Sequence, residues 1–241
     1  MTIWRKLTHG KHRLPWVTVG LAALCLGLYA VFGGAPDLLV YDRAEILNGQ
    51  WWRLASGHLV HLDLHHLAYN IGALLALGIL FETASFGGSD KLAFGIFGLG
   101  GAVITATLFE ASPATLYYCG LSAALNALYA AVTIGMWRET GQKIWLAAFG
   151  LDIAKIAWEA AFEPIFSSTL AWPPHTGAHI AGVIAGCALA AWSAFDHGLS
   201  PARPGTNGPL RDDEVLRAKK TPVTSGEITS GKIAGAAYPA M

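Results

Sequence analysis

Two polar residues in apolar segments of the chain, Ser122 and His179, are of the types that act together in acyl transfer. A serine hydroxyl is a weak nucleophile until a base accepts its proton, and an imidazole within about 3 Å can do so. Such a reaction also needs donors for the oxyanion, and His66, Asn70 and the Ser122 backbone N–H are candidates. We find no acidic residue placed to orient His179, so the sequence predicts a serine–histidine dyad rather than a triad.

The spacing of these residues places them on shared helix faces. His66 and Asn70 are four residues apart, as are Ser122 and Asn126, and side chains at that spacing stack on one face of a helix. Small residues recur at the same spacing and let two membrane helices approach closely, which a contact between Ser122 and His179 requires. These small residues are Ala123, Ala127, Gly182 and Gly186.

The composition is that of a chain that crosses a membrane several times. Of 241 residues, 54% are hydrophobic and 13% charged, against about a quarter charged in a soluble domain, and the mean hydropathy is +0.44. This excludes a disordered chain, a nucleic-acid-binding protein with a basic face and a disulfide-stapled secreted module. The 16 basic and 16 acidic residues balance, so net charge indicates no partner.

Six segments are apolar over roughly the 20 residues that a helix needs to cross about 30 Å of hydrocarbon. We therefore predict an all-α polytopic membrane protein with six transmembrane helices, the first of them an uncleaved helix rather than a signal peptide. The predicted spans are residues 16–34, 64–84, 91–110, 119–137, 143–163 and 176–196. Residues 1–15 are then a cytoplasmic N-terminus, and residues 197–241, rich in Pro, Gly, Ser and Thr, a largely disordered cytoplasmic tail.

Basic residues concentrate on one side of these spans, so the positive-inside rule places both termini in the cytoplasm. Spans two, four and six then all run inwards from the extracytoplasmic side, and each opens with polar residues. At 1.5 Å per residue, Ser122 and His179 each lie on the order of 5 Å into their helices. Three helices thus contribute to one polar layer, which random placement of structural polar residues rarely produces.

At these residues the chain resembles the rhomboid intramembrane serine proteases, over about residues 49–190. The motifs that carry the resemblance are Trp52-Arg53, His61 with His66 and Asn70, Glu82, Gly120-Leu121-Ser122-Ala123 and Ala178-His179-Ile180-Ala181-Gly182. Finer features are similar to the rhombosortase branch. They are the segment from Gly49 to His61, Tyr118-Cys119-Gly120-Leu121-Ser122 and the charged stretch from Lys155 to Glu159.

The resemblance implies a six-helix rhomboid fold in which Ser122 is the nucleophile and His179 the general base. It also implies an oxyanion site close to the nucleophile. By this resemblance His66 and Asn70 line that site and His61 supports it, and we add Gly120 and Asn126 as further supporting candidates. No cofactor or metal is implied.

The rhombosortase branch further implies a substrate class and a location. Rhombosortases are proposed to cut bacterial surface proteins near a C-terminal Gly-Gly signal that precedes an apolar helix and a basic end. Glycines make physical sense there, because a scissile carbonyl within a regular helix is hydrogen-bonded until the helix unwinds. The implied setting is the bacterial inner membrane, with the site facing the periplasm, lipid around it, no nucleic acid, and the need for a membrane partner protein left open.

Two residues depart from the rhomboid pattern. Ala123 stands where the Gly-x-Ser-Gly motif has its second glycine, so a positive φ there would be strained, whereas within a helix alanine is the better residue. Asn126 stands where many rhomboids carry a tyrosine that packs on the histidine, and it could instead hydrogen-bond His179. The Ala123 departure is not expected to abolish activity, and the Asn126 departure concerns the orientation of His179 rather than its presence.

Other interpretations of the polar residues stay open at this point. The group His58, His61, His65 and His66 could hold zinc, although no H-E-x-x-H motif is present, and we expect His58 and His65 at the surface or an interface. His66 and Asn70 could also be hydrogen-bonding glue between helices.

The fifth span carries charged residues at ion-pair spacing, namely Asp152, Lys155, Glu159 and Glu163. We favour a buried structural ion pair there over a substrate gate or docking point. At the level of the whole chain, a non-catalytic rhomboid-like protein that binds membrane clients is the main alternative. A channel or transporter is a second one, although its polar pathway should cross the bilayer rather than stop at one end of three helices.

Overall fold

The computed structural model describes residues 14–84, 95, 101, 103–111, 113–162 and 175–196. Its long helices are α1 (Trp16–Phe32), α4 (Leu64–Thr83), α5 (Ser122–Thr140), α6 (Ile144–Ala161) and α7 (Thr176–Asp196). The shorter elements are β1 (Tyr41–Asp42), α2 (Arg43–Leu47), α3 (Arg53–Ser56), a π-helical turn (Thr107–Ala111) and β2 (Tyr117–Tyr118). The described chain is thus predominantly helical, as predicted.

Five of the predicted spans correspond to the long helices, with ends that differ by at most three residues. Half of the third predicted span, 91–110, lies outside the described residues, so the count of six stays a prediction. The predicted cytoplasmic tail, 197–241, lies wholly outside them, and so does almost all of the predicted N-terminal segment. Within the described part, the helix Leu64–Thr83 is long and apolar enough to cross a membrane, while Trp16–Phe32 and Thr176–Trp192 are apolar but shorter.

The outward faces of the long helices are strongly apolar. Large side chains that extend away from the helix contacts include Val31 on α1, Leu151 on α6, and Ile184 and Trp192 on α7. In water a surface of this kind would be an association site, whereas hydrocarbon solvates it without cost. The exposed faces therefore suit a helical protein surrounded by lipid.

Helix α5 is central and packs against α4, α6 and α7. Its contact with α7 is made by backbone, because the facing residues are small. A Cβ atom added to Gly182 would lie 2.1 Å from the Ala123 carbonyl oxygen, and one added to Gly186 would lie 2.1 Å from that of Ala127. The predicted close approach of these two helices is confirmed, and it brings the starts of both helices together.

The segment that joins α1 to α4 is fixed by polar side chains that bond its own backbone. Arg53 is only 5% exposed and donates from its guanidinium to the carbonyl oxygens of Val40, at 2.9 Å, and Asp37. The neighbouring Trp52 indole N–H donates to the Leu38 carbonyl oxygen at 3.0 Å. The Trp-Arg pair thus has a structural role, since it closes this loop beside the site.

Glu82, near the end of α4, caps the start of α1. Its carboxylate accepts from the backbone N–H groups of Thr18, at 2.7 Å, and Val17, at 3.2 Å, and from the Thr18 hydroxyl at 2.5 Å. The first N–H groups of a helix have no partner within it and carry partial positive charge, so a buried carboxylate is stabilised there. This contact ties α1 to α4 and makes Glu82 a structural residue.

Candidate active site

Ser122 and His179 meet where α5 and α7 approach most closely. Ser122 is the first residue of α5, and His179 lies in the first turn of α7 with 3% of its surface exposed. The distance from His179 Nε2 to Ser122 Oγ is 3.1 Å. This separation lies within hydrogen-bond range, so the imidazole can accept the hydroxyl proton directly.

Gly120 forms the floor of the site, two residues before the serine. Its φ is +106°, a conformation that L side chains rarely adopt. A Cβ atom at this position would lie 2.5 Å from His66 Cε1 and 3.5 Å from Asn70 Nδ2. The structure therefore brings His66 and Asn70 against the backbone that leads into Ser122, where the sequence predicted the oxyanion site.

The backbone of Gly120 is held on both sides. Its N–H donates to the Gly57 carbonyl oxygen at 2.9 Å, and its carbonyl oxygen accepts from the Tyr118 hydroxyl at 2.9 Å. Tyr118 itself is aligned by the antiparallel pairing of β1 with β2, in which it lies opposite Tyr41. Because that hydroxyl is buried, its pKa is raised and it stays a donor. The pairing of β2 with β1, a strand from a distant part of the sequence, thus helps to position the loop before the nucleophile.

Two buried polar atoms beside Gly120 have no hydrogen-bond partner within the described residues. They are Asn70 Nδ2 and His66 Nδ1. A buried donor left unpaired costs about 1–3 kcal/mol, so each such atom calls for an explanation. A developing oxyanion at Ser122 would be an acceptor for the Asn70 amide, and the Ser122 N–H lies at a helix start where N–H groups lack intrahelical partners.

His61 packs against His66. Its ring is 1% exposed and meets the His66 ring edge to face, with centroids 5.0 Å apart. Burial, together with the nearby His66, lowers the pKa of His61 to about 4, so this imidazole is neutral near pH 7. A neutral ring can pack against His66 without placing a second positive charge in the site.

Both departures from the family motif are accommodated. Ala123 is helical and fully buried, and no described residue other than glycine has a positive φ, so its methyl group causes no backbone strain. Asn126 does not take the role that the sequence suggested, because its Nδ2 donates to the Ser122 carbonyl oxygen at 2.9 Å rather than to His179. Asn126 therefore stabilises the helix turn that carries the nucleophile.

The expectation that no acidic residue is placed near enough to orient His179 is wrong. Glu159 Oε2 lies 3.4 Å from His179 Nδ1, and both side chains are 4% exposed. This distance is an ion-pair contact rather than a formed hydrogen bond, and His179 Nδ1 has no hydrogen-bond partner among the described residues. The only sequence signal was an acid four residues after Lys155 in an apolar helix, which indicated an ion pair but not its direction.

His58 and His65, which the sequence grouped with His61 and His66, have different environments from each other. His58, expected at the surface or an interface, is buried, and its Nε2 lies 2.9 Å from the Thr105 hydroxyl. Burial lowers the pKa of His58 to about 4. His65 is exposed, as expected. In the part of the chain that the structure describes, no group of three or more His, Cys, Asp or Glu side chains is arranged to hold a metal ion.

A polar site at the starts of closely packed helices, with a serine in contact with a histidine, defines the class of protein. Residues 48–194, more than half of the chain, match the model of the Rhomboid domain. The chain therefore belongs to the rhomboid family of membrane proteins, whose protease members are serine intramembrane proteases.

Two curated relatives agree with this assignment. The chain is 26% identical over 188 residues to "Rhomboid protease GluP" of Bacillus subtilis (strain 168). This match covers 75% of the chain and 36% of the relative. It is 25% identical over 191 residues to "Rhomboid-like protease 2" of Toxoplasma gondii, and this match covers 77% of the chain and 65% of the relative. The chain thus spans about a third of the first relative and just under two thirds of the second.

Replacing Gly120 with alanine should lower the rate at which a fluorophosphonate labels Ser122 by at least about 100-fold, the scale of losing an oxyanion donor. The new methyl group would strain a backbone at φ +106° and displace His66. The control is Gly141→Ala, which places alanine at a less strained positive φ of +69° and has nothing within 4 Å of its Cβ atom. Equal labelling rates for the two variants would contradict this role of Gly120.

Proposed function

We propose that this protein is an intramembrane serine endopeptidase that cuts a membrane-anchored protein with Ser122 as nucleophile and His179 as base. The observation that carries the proposal is the 3.1 Å contact between His179 Nε2 and Ser122 Oγ in a chain of the rhomboid family. The Asn70 amide supports it, because its Nδ2 is buried beside Gly120 without a partner among the described residues and could donate to an oxyanion.

In the first half of the reaction, Ser122 Oγ attacks the carbonyl carbon of the scissile peptide bond while its proton passes to His179 Nε2. The electron pair of the carbonyl π bond moves to the oxygen, where Asn70, His66 and the Ser122 N–H can stabilise it. The carbon–nitrogen bond then breaks, and the imidazolium gives its proton to the leaving amine. The products of this half are an acyl-enzyme and a free amino terminus.

In the second half, water attacks the acyl-enzyme and His179 Nε2 takes its proton. The ester bond to Ser122 Oγ breaks, the serine oxygen recovers that proton, and a new carboxyl terminus leaves. The net reaction is hydrolysis of one peptide bond, with enzyme and base restored. Every proton transfer passes through His179 Nε2.

For the substrate, we propose the rhombosortase class, which is a surface or secreted protein with a C-terminal Gly-Gly signal, an apolar helix and a basic end. The segment Tyr118-Cys119-Gly120-Leu121-Ser122 and the charged stretch Lys155–Glu159 support this assignment. The corresponding location is the bacterial inner membrane, with both termini in the cytoplasm and the site open to the periplasm. The distribution of basic residues supports that orientation.

The test is co-expression of the full chain with a client that carries this signal, with client size measured by blot. A matched client in which the two glycines are leucines keeps the apolar helix but resists unwinding. We expect cleavage of the Gly-Gly client, little cleavage of the leucine client, and no cleavage when Ser122 is alanine. Cleavage by the Ser122→Ala variant would assign the activity to a host protease.

The non-catalytic client-binding alternative makes a different prediction in the same cells. A binder would retain the client uncut, and Ser122 would not react with a fluorophosphonate. If the folded protein neither labels nor cuts any rhomboid substrate, the proposal of an endopeptidase is wrong and the binding function is favoured.

A further inference from the structure

We propose that Glu159 is a positioning residue for His179, which makes the site a serine–histidine pair supported by a buried carboxylate. This inference rests on the proposed function, because it assigns Glu159 a role in the reactivity of Ser122. The carboxylate reaches His179 from α6, while the serine reaches it from α5, so the imidazole of α7 is contacted on both ring nitrogens.

The two distances determine which tautomer of His179 the site requires. Nε2 must be unprotonated to accept the serine proton, so the neutral ring must carry its hydrogen on Nδ1. Glu159 Oε2, 3.4 Å from Nδ1, is the acceptor that favours this tautomer. When the ring takes up the serine proton, the same carboxylate faces a full positive charge, so the contact strengthens as the reaction proceeds.

Lys155 accounts for the presence of a buried carboxylate at this position. Its Nζ lies 2.9 Å from Glu159 Oε1 and 3.0 Å from Oε2, and its own side chain is 31% exposed. An unpaired carboxylate this deeply buried would take up a proton, whereas a lysine counter-ion keeps it ionised. The ion pair that the sequence indicated therefore has a further consequence, which is a charged acceptor held next to the base.

Other titratable groups lie near His179 and interact with its ring electrostatically. His66 on α4, Asp152 on α6 and His175 on the same helix all lie within electrostatic range of the ring. Among the described residues, Glu159 is the one acid that forms an ion pair with His179. Asp152 is an acidic residue on the same helix without that contact, which makes it a matched control.

The experiment measures the second-order rate of fluorophosphonate labelling of Ser122 in the purified full chain, from pH 5 to 9. Compared with wild type, Glu159→Gln should label about 10- to 100-fold more slowly, a smaller loss than a fully hydrogen-bonded triad acid produces. The acid limb of its pH–rate profile should also move to lower pH. The sign follows because removing a negative charge makes the imidazolium lose its proton more readily.

Two further variants separate positioning from structure. Glu159→Asp retains the charge but withdraws it by one methylene, so we expect an intermediate rate, and this variant also serves if Glu159→Gln does not fold. Asp152→Asn should stay within about twofold of wild type, since Asp152 forms no ion pair with the ring.

The outcomes distinguish this inference from the proposed function. A wild-type rate and an unmoved pH profile in Glu159→Gln, with wild type labelling normally, would overturn the positioning role alone. An equal loss in Asp152→Asn would overturn it too, because the effect would then be a general field. Failure of wild type to label at all would overturn the proposed function instead.

Discussion

Replacing Ser122 with alanine will abolish cleavage of the membrane client, a loss of at least about 10⁴-fold, and will abolish fluorophosphonate labelling. The reason is chemical, because in the proposed mechanism Ser122 Oγ is the atom that forms the acyl-enzyme. The fold should be retained, since the contact of Ser122 Oγ is with His179 and α5 is held by its contacts with α4, α6 and α7. Client cleavage by blot and thermal unfolding in detergent measure the two effects.

The matched control for this variant is Ser56→Ala. Ser56 lies in the loop between α1 and α4, and its hydroxyl donates to the Leu39 carbonyl oxygen at 2.7 Å. The Ser56→Ala variant therefore loses a structural hydrogen bond, worth about 1 kcal/mol, but no group that takes part in the reaction. We expect cleavage within about threefold of wild type. Residual labelling or cleavage in Ser122→Ala at the wild-type rate would rule out Ser122 as the nucleophile.

Replacing His179 with glutamine will lower cleavage by about 10³- to 10⁴-fold, because the serine then has no base within reach. Glutamine has a similar reach and keeps hydrogen-bonding capacity, so the contact between α5 and α7 through Gly182 and Gly186 should persist. The residual rate should rise with pH, since hydroxide must replace the lost base. Wild type should instead level off once its imidazole is neutral.

Two comparisons make this prediction sharp. His65→Gln changes an exposed histidine one residue from the site residue His66 and should leave the rate unchanged. The double variant Ser122→Ala with His179→Gln should be no worse than Ser122→Ala alone, because residues that act as one unit are not additive. A His179→Gln rate near that of wild type would mean that another group is the base.

Much of this site could be predicted from local sequence because its elements are local. The apolar runs determined where the long helices lie, within three residues in the described spans. The small residues at four-residue spacing determined that α5 and α7 touch, since a glycine stripe has one favourable use between membrane helices. Once those helices touch at their starts, Ser122 and His179 must meet.

The contacts that only the tertiary structure decided are those that depend on how a helix is rotated about its axis. A spacing of four residues showed that Lys155 and Glu159 share a face of α6, but not which neighbouring helix that face meets. In the structure, this face of α6 is turned towards α7, so that Glu159 reaches His179. The partner of Asn126 was undetermined for the same reason.

The conformation of Gly120 could not be predicted from the sequence for a related reason. Its motif marked it as important, but its φ of +106° and its contact with His66 depend on a ribbon and a loop that approach from distant parts of the chain. The sequence by itself thus determined the helices, their closest contact and the reacting pair, because these follow from periodicity and side-chain size. The tertiary structure decided what surrounds that pair, because rotation and register are settled only when all the faces of the helices are packed at once.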